Sequence, residues 1–136
     1  MSRWRQILLW LAALFFIMAG ANHFRQPEIY LGMMPSGLPF PKVLNDIAGL
    51  AEVLGGVGLL MRCTRRPAGW GLIVLLIAVF PANVHAALQG HMPGLEVSPL
   101  VLWLRLPFQV LFIAWVWWVA LAPAARNRRD QTGVGA

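Results

Sequence analysis

The chain reads as an all-α membrane protein, a bundle of four transmembrane helices with both termini in the cytoplasm. Three observations predict this. Hydrophobic residues fill 59% of its 136 positions and charged residues 12%, against about 45–50% and about 25% in soluble domains. A soluble fold this short buries too little of its surface to hide so much apolar area. Four apolar runs each approach the roughly 20 residues that cross the hydrocarbon of a bilayer. Finally, eight of the eleven Lys and Arg residues form three clusters beside those runs, at Arg3/Arg5, Arg62/Arg65/Arg66 and Arg126/Arg128/Arg129.

The four runs are Trp4–Asn22, Val43–Met61, Ala68–Leu88 and Leu100–Ala122. They are too long and continuous for barrel strands, so helices are the structure that satisfies their backbone in lipid. Pro67 precedes the third run, and Ser98-Pro99 supplies a cap and a first-turn proline for the fourth. The basic clusters fall at the N-terminus, the second-to-third connection and the C-terminus. The first connection holds Arg25 and Lys42, and the third holds no Lys or Arg. Positive charge stays on the cytoplasmic side, which gives a multi-pass protein of a bacterial-type plasma (inner) membrane. A rival reading takes Arg3/Arg5, the first run and Ala19-Gly20-Ala21 as a cleavable signal peptide, leaving three helices. Residues 1–125 form the membrane domain, and the polar tail 126–136 is expected to be disordered.

The first connection, His23 to Lys42, carries four prolines among Phe24, Tyr30, Leu31, Met33, Met34 and Phe40. It is too apolar for a free linker. It is expected to lie at the outer interface as a proline-rich cover, with a short helix around Glu28–Met34.

The residues that do not belong in lipid carry the functional signal. Asn45, Gly49, Glu52 and Gly56 share one face of the second run, by i, i+4, i+7, i+11 spacing. Asn83 and His85 follow Pro81 in the third. Arg105 and Gln109 flank Pro107 in the fourth, and Asn22 and His23 end the first. Threaded through the topology, all lie between the midplane and the outer surface. A charge near a helix centre costs roughly 2.5–3.5 kcal/mol on insertion scales, so Glu52 and Arg105 must face the bundle interior. Their depths, roughly nine and roughly five residues into their helices, allow an interaction, direct or through Gln109 or water. Gly49 and Gly56 allow a neighbouring helix to approach. Pro81 and Pro107 cannot donate to the carbonyls of Ile77 and Trp103, which then need other partners such as Asn83 and Gln109. The candidate polar cluster is therefore His23, Asn45, Glu52, Asn83, His85, Arg105 and Gln109. The plainer reading is that these groups satisfy one another and glue the helices.

Several classes are disfavoured. The net charge of +6 sits in helix-flanking clusters, a pattern of membrane orientation and not of nucleic-acid binding. The lone Cys63 excludes an intramolecular disulfide and a C-x-x-C relay. His23, His85, His91, Met33, Met34 and Met92 could suit a soft metal, but they show no ligand spacing, so no metal site is assigned. Trp70, Trp103, Trp115, Trp117 and Trp118 suit packing and interface anchoring better than a cofactor box.

Four stretches occur in an order that resembles the DoxX-like family of small four-helix membrane proteins: Ala19 to Phe24 (AGANHF), Gly49 to Leu60 (GLAEVLGGVGLL), Phe80 to Val84 (FPANV) and Arg105 to Gln109 (RLPFQ). The resemblance implies the fold and the membrane location. Relatives include the small subunit of thiosulfate:quinone oxidoreductase, a methylamine-utilisation membrane protein and membrane partners in redox and oxidative-stress complexes. The paired cysteines that would support disulfide handling are missing here. The residues that match are His23, Glu52, Pro81, Asn83, Arg105, Pro107 and Gln109.

Three functions follow as alternatives. The first is a binding or accessory subunit linked to redox chemistry, holding a quinone or another small amphipathic ligand, or docking a redox partner protein. The second is a membrane oxidoreductase-type enzyme in which Glu52 and His23 exchange protons with substrate. The third is a structural or assembly protein. A homo-oligomer is compatible with each.

Overall fold

The computed structural model describes residues 1–90 and 98–123. Local chemistry sets the helix ends. Ser2 Oγ accepts from the Arg5 backbone N–H at 3.2 Å and opens α1, Arg3–Arg25. The expected cover helix is present as α2, Pro27–Met33. Prolines occupy the first turns of α3, Pro41–Leu60, and α5, Pro99–Val116, where their missing N–H goes unneeded. Between these two, α4 spans Arg65–Gln89 and stops at Gly90, whose φ of 75° and N–H to the Ala86 carbonyl form a left-handed cap. A π-helical turn, Trp117–Leu121, continues α5. Among the described residues there is no strand.

Four of these helices are long and apolar enough to cross a membrane. The 23 residues of α1 extend about 35 Å at 1.5 Å per residue, against a hydrocarbon core of about 30 Å. The apolar runs marked in the sequence match these helices to within three residues at each end, with Met61 and Ala122 falling one residue past the helices. Pro81 and Pro107 both lie inside continuous helices. Large apolar side chains such as Trp10, Leu54, Val74 and Leu111 point outward, the arrangement expected where lipid is the solvent.

The bundle runs α1–α3–α4–α5 around its axis. The tightest crossing joins α1 to α3. A Cβ on Gly49 would sit 2.7 Å from His23 Cβ and 3.0 Å from the Gly20 carbonyl oxygen. Only glycine permits this approach, which brings the end of α1 against the polar face of α3. By contrast, α1 and α5 meet along a loose seam, bridged where Phe15 stacks on Phe112 at 4.8 Å.

The two halves of the bundle differ. Away from α2 the interior is filled by Leu9, Phe16, Leu59, Leu72, Val116, Val119 and their neighbours. Towards α2 there is a smaller apolar cluster, Ile29, Met33, Ala86, Ala87 and Leu102, packed beneath α2. Polar side chains and a cavity occupy the space between.

Candidate functional site

The site is assembled from α1 outward. His23, in the last turn of α1, is 8% exposed, and Asn45 of α3 is fully buried behind it. His23 Nδ1 lies 2.8 Å from Asn45 Oδ1. The same amide donates through Nδ2 to the His23 carbonyl at 3.0 Å, which orients its oxygen toward the ring. An amide oxygen only accepts, so Nδ1 carries a hydrogen.

The other ring nitrogen, Nε2, lies 3.3 Å from Glu52 Oε2. This is an ion-pair approach and not an aligned hydrogen bond, and Oε2 has no hydrogen-bonding partner. A bare imidazole lone pair facing a bare carboxylate would repel it. The two groups therefore hold one proton between them, as imidazolium with carboxylate or as imidazole with carboxylic acid. Either form is neutral overall, which is how an ionisable pair is tolerated inside a membrane bundle.

The sequence pointed to an interaction of Glu52 with Arg105, direct or through Gln109 or water; the ion pair that the structure shows for Glu52 is with His23. The reason is the glycine crossing, which sets the α1 backbone close enough for His23 to reach the carboxylate first. Arg105 Nη1 approaches Met33 Sδ of α2 at 3.8 Å. It lines the same cavity as Glu52.

Asn83 of α4 donates from Nδ2 to Gln109 Oε1 of α5, and Gln109 Nε2 donates to the Leu76 carbonyl. Gln109 is 4% exposed. The two amides form a cross-link between α4 and α5, with both functions of Gln109 engaged. Leu76 immediately precedes Ile77, whose carbonyl lies opposite Pro81. The amide contact thus falls on the carbonyl next to the one that Pro81 leaves without an N–H, and not on the freed one. His85 contributes differently: its Nδ1 donates to the Met33 carbonyl at 3.1 Å, tying α4 to α2.

The cavity between these groups measures about 310 Å³, at the lower end of the roughly 300–1,000 Å³ typical of ligand pockets. His23, Glu52, Asn83, Arg105 and Gln109 line it; Asn45 and His85 do not. The remaining walls are mostly apolar and include Phe15, Phe16, Phe108 and Phe112. Phe15 and Phe108 are 42% and 53% exposed, at the loose α1–α5 seam. Over the polar end lies Tyr30 of α2, stacked on His23 at 3.8 Å between centroids, with its hydroxyl accepting from Asn22 Nδ2 at 2.8 Å.

Sequence reasoning missed the role of Tyr30 and the aromatic walls. Signals existed for both. Tyr30 is the chain's single tyrosine, set in the apolar connection. Positions 105, 108, 109 and 112 follow i, i+3, i+4, i+7 spacing, so Phe108 and Phe112 share a face with Arg105 and Gln109. Among the described residues no group of three His, Cys, Asp or Glu side chains converges. His91, Met92 and the tail 126–136 lie outside the described residues.

A family model described as a domain of unknown function, DUF8561, matches residues 11–120, and the chain belongs to that family. The match takes in part or all of every long helix and every residue that lines the cavity. No curated protein and no solved structure matches the chain.

Proposed function

We propose that this member of the DUF8561 family is a binding or accessory subunit of a bacterial-type inner membrane. In this reading it holds a small amphipathic molecule of the quinone type, and it is linked to redox chemistry through a partner protein. The carrying observation is one cavity that joins a proton-bearing His23–Glu52 pair and the Arg105 guanidinium to aromatic walls. A quinone headgroup is flat and apolar except for its carbonyl oxygens, which accept hydrogen bonds. Arg105 supplies donors at one end, with the proton of the His23–Glu52 pair beside it, and phenylalanines supply flat contact elsewhere. A lipid-soluble ligand would reach the cavity from the bilayer, between Phe15 and Phe108.

Orientation follows from charge. Arg3, Arg5, Arg62, Arg65 and Arg66 gather at the end opposite α2, which supports a cytoplasmic position for that end and an outer-leaflet position for the cavity. A relation to the DoxX-like proteins is part of the proposal. It is supported by the way its four matching stretches contribute His23, Glu52, Asn83, Arg105 and Gln109 to a single cavity.

The test is titration of the purified protein with a short-chain ubiquinone analogue. Saturable binding is expected, weakened about tenfold or more in Arg105→Ala, the loss of one charge-assisted hydrogen bond of about 1.5–3 kcal/mol. Absence of saturable binding removes the quinone assignment. The shared proton favours a second reading, an enzyme in which His23 and Glu52 exchange a proton with substrate. Quinone-linked turnover that survives Glu52→Gln would eliminate it.

A further inference from the structure

At the end of the bundle opposite α2, three arginines are bound to the last carbonyls of neighbouring helices. Arg5 of α1 donates through Nη2 to the Ala122 carbonyl at 2.5 Å, and Arg66 of α4 through Nη1 to the Leu121 carbonyl at 3.3 Å. Arg65 donates through Nε to the Leu59 carbonyl, at the end of α3, at 2.8 Å. Helix C-termini leave such carbonyls without N–H partners and carry partial negative charge, so each contact is favourable. Each also uses only one of the five donors on its guanidinium.

Arg62 and Arg5 lie close enough to Arg65 to act on it electrostatically. The acidic residues among those described are Glu28 on α2, Asp46 near the start of α3 and Glu52 near the middle of α3, away from the arginine-rich end. No described carboxylate balances the cluster; the ion pairs among the described residues are His23–Glu52 and Lys42–Asp46. Several mutually repelling cations, held in place by backbone contacts, form a site for an anion. Tryptophans define its level. Arg5 lies over the Trp118 ring at 6.0 Å, and Trp4 is exposed one residue away. Such aromatics sit at the headgroup boundary of a bilayer.

We propose that Arg5, Arg62, Arg65 and Arg66 form a binding site for the phosphate of an anionic phospholipid of the phosphatidylglycerol or cardiolipin class. The guanidinium fork matches phosphate geometry, and the carbonyl contacts order the side chains before the lipid arrives, which lowers the cost of binding. A headgroup there would bridge α1 and α4 at the end where the π-helical turn closes the bundle. The site is separate from the cavity and does not depend on what the cavity holds.

The experiment is native mass spectrometry of the full-length protein extracted from vesicles of phosphatidylcholine and phosphatidylglycerol in equal parts. Phosphatidylglycerol is expected to be retained in preference. Arg62 caps no carbonyl, so Arg62→Gln spares the fold. It is expected to lower retention about fivefold, and Arg62→Gln with Arg66→Gln about twenty-fold, from the usual effect of one basic residue at an anionic surface. Arg25→Gln, on the α2 side, is expected to change nothing. Equal retention of the two lipids, or retention unchanged in the double variant, overturns the proposal. Displacement of the lipid by inorganic phosphate at the same concentration also overturns it, by making the site one for free phosphate.

Discussion

Asn45 does more at the residue scale than its exposure to any ligand would suggest. It does not line the cavity, yet its amide sets which nitrogen of His23 bears hydrogen and so requires the proton shared with Glu52. Asn45→Ala leaves a buried N–H and a buried carbonyl without their partner. The expected loss is about 1–3 kcal/mol of stability, read from thermal unfolding of the purified protein. Asn45 and Glu52 were readable in the sequence because a polar side chain inside an apolar run stands out. Tyr30 was not, because its importance comes from lying flat on His23, a short way along the chain but in a different helix.

At the element scale, the crossing of α1 and α3 controls the site. Gly49→Ala introduces a methyl 2.7 Å from His23 Cβ and 3.0 Å from a backbone oxygen. Helix backbones must separate to admit it, at about 1–3 kcal/mol, and His23 moves away from Glu52 with them. At Gly71, on the exposed side of α4, an added methyl would meet nothing within 4 Å. Gly71→Ala is therefore expected to leave the melting temperature unchanged or slightly raised, by the usual preference for alanine over glycine in a helix, and the contrast between the two variants isolates the crossing from that general effect. A small-residue face on the second apolar run was visible in the spacing of Gly49 and Gly56. Its partner, Gly20 on α1, was hidden inside a stretch that also reads as a signal-peptide cleavage site.

For the whole molecule, the segregation of charge is the main property. Arg3, Arg5, Arg62, Arg65 and Arg66 gather at one end, while the described carboxylates lie with the cavity toward the middle and the other end. Cys63 is exposed at the arginine-rich end and is the chain's only cysteine, so it is a built-in reporter of orientation. A membrane-impermeant maleimide is expected to label it only after the cells are permeabilised. In a Cys63→Ala background, Ser36→Cys, exposed in the connection after α2, is expected to label in intact cells. The reverse pattern would invert the topology and place the cavity in the cytoplasmic leaflet.

The amino-acid sequence by itself determined the number of long helices, their approximate ends and the concentration of polar groups toward one end. Each of these depends on local properties: hydropathy over some twenty residues, caps, prolines and the spacing of polar positions along one helix. Only the tertiary structure decided that Glu52 meets His23, that Asn83 and Gln109 cross-link α4 to α5, and that Tyr30 covers the result. Those pairings depend on how near two helices approach and how each is rotated about its axis. At Gly20 and Gly49 that approach is set by atoms absent from both sides of the contact, a cooperation between distant positions that neither reveals alone.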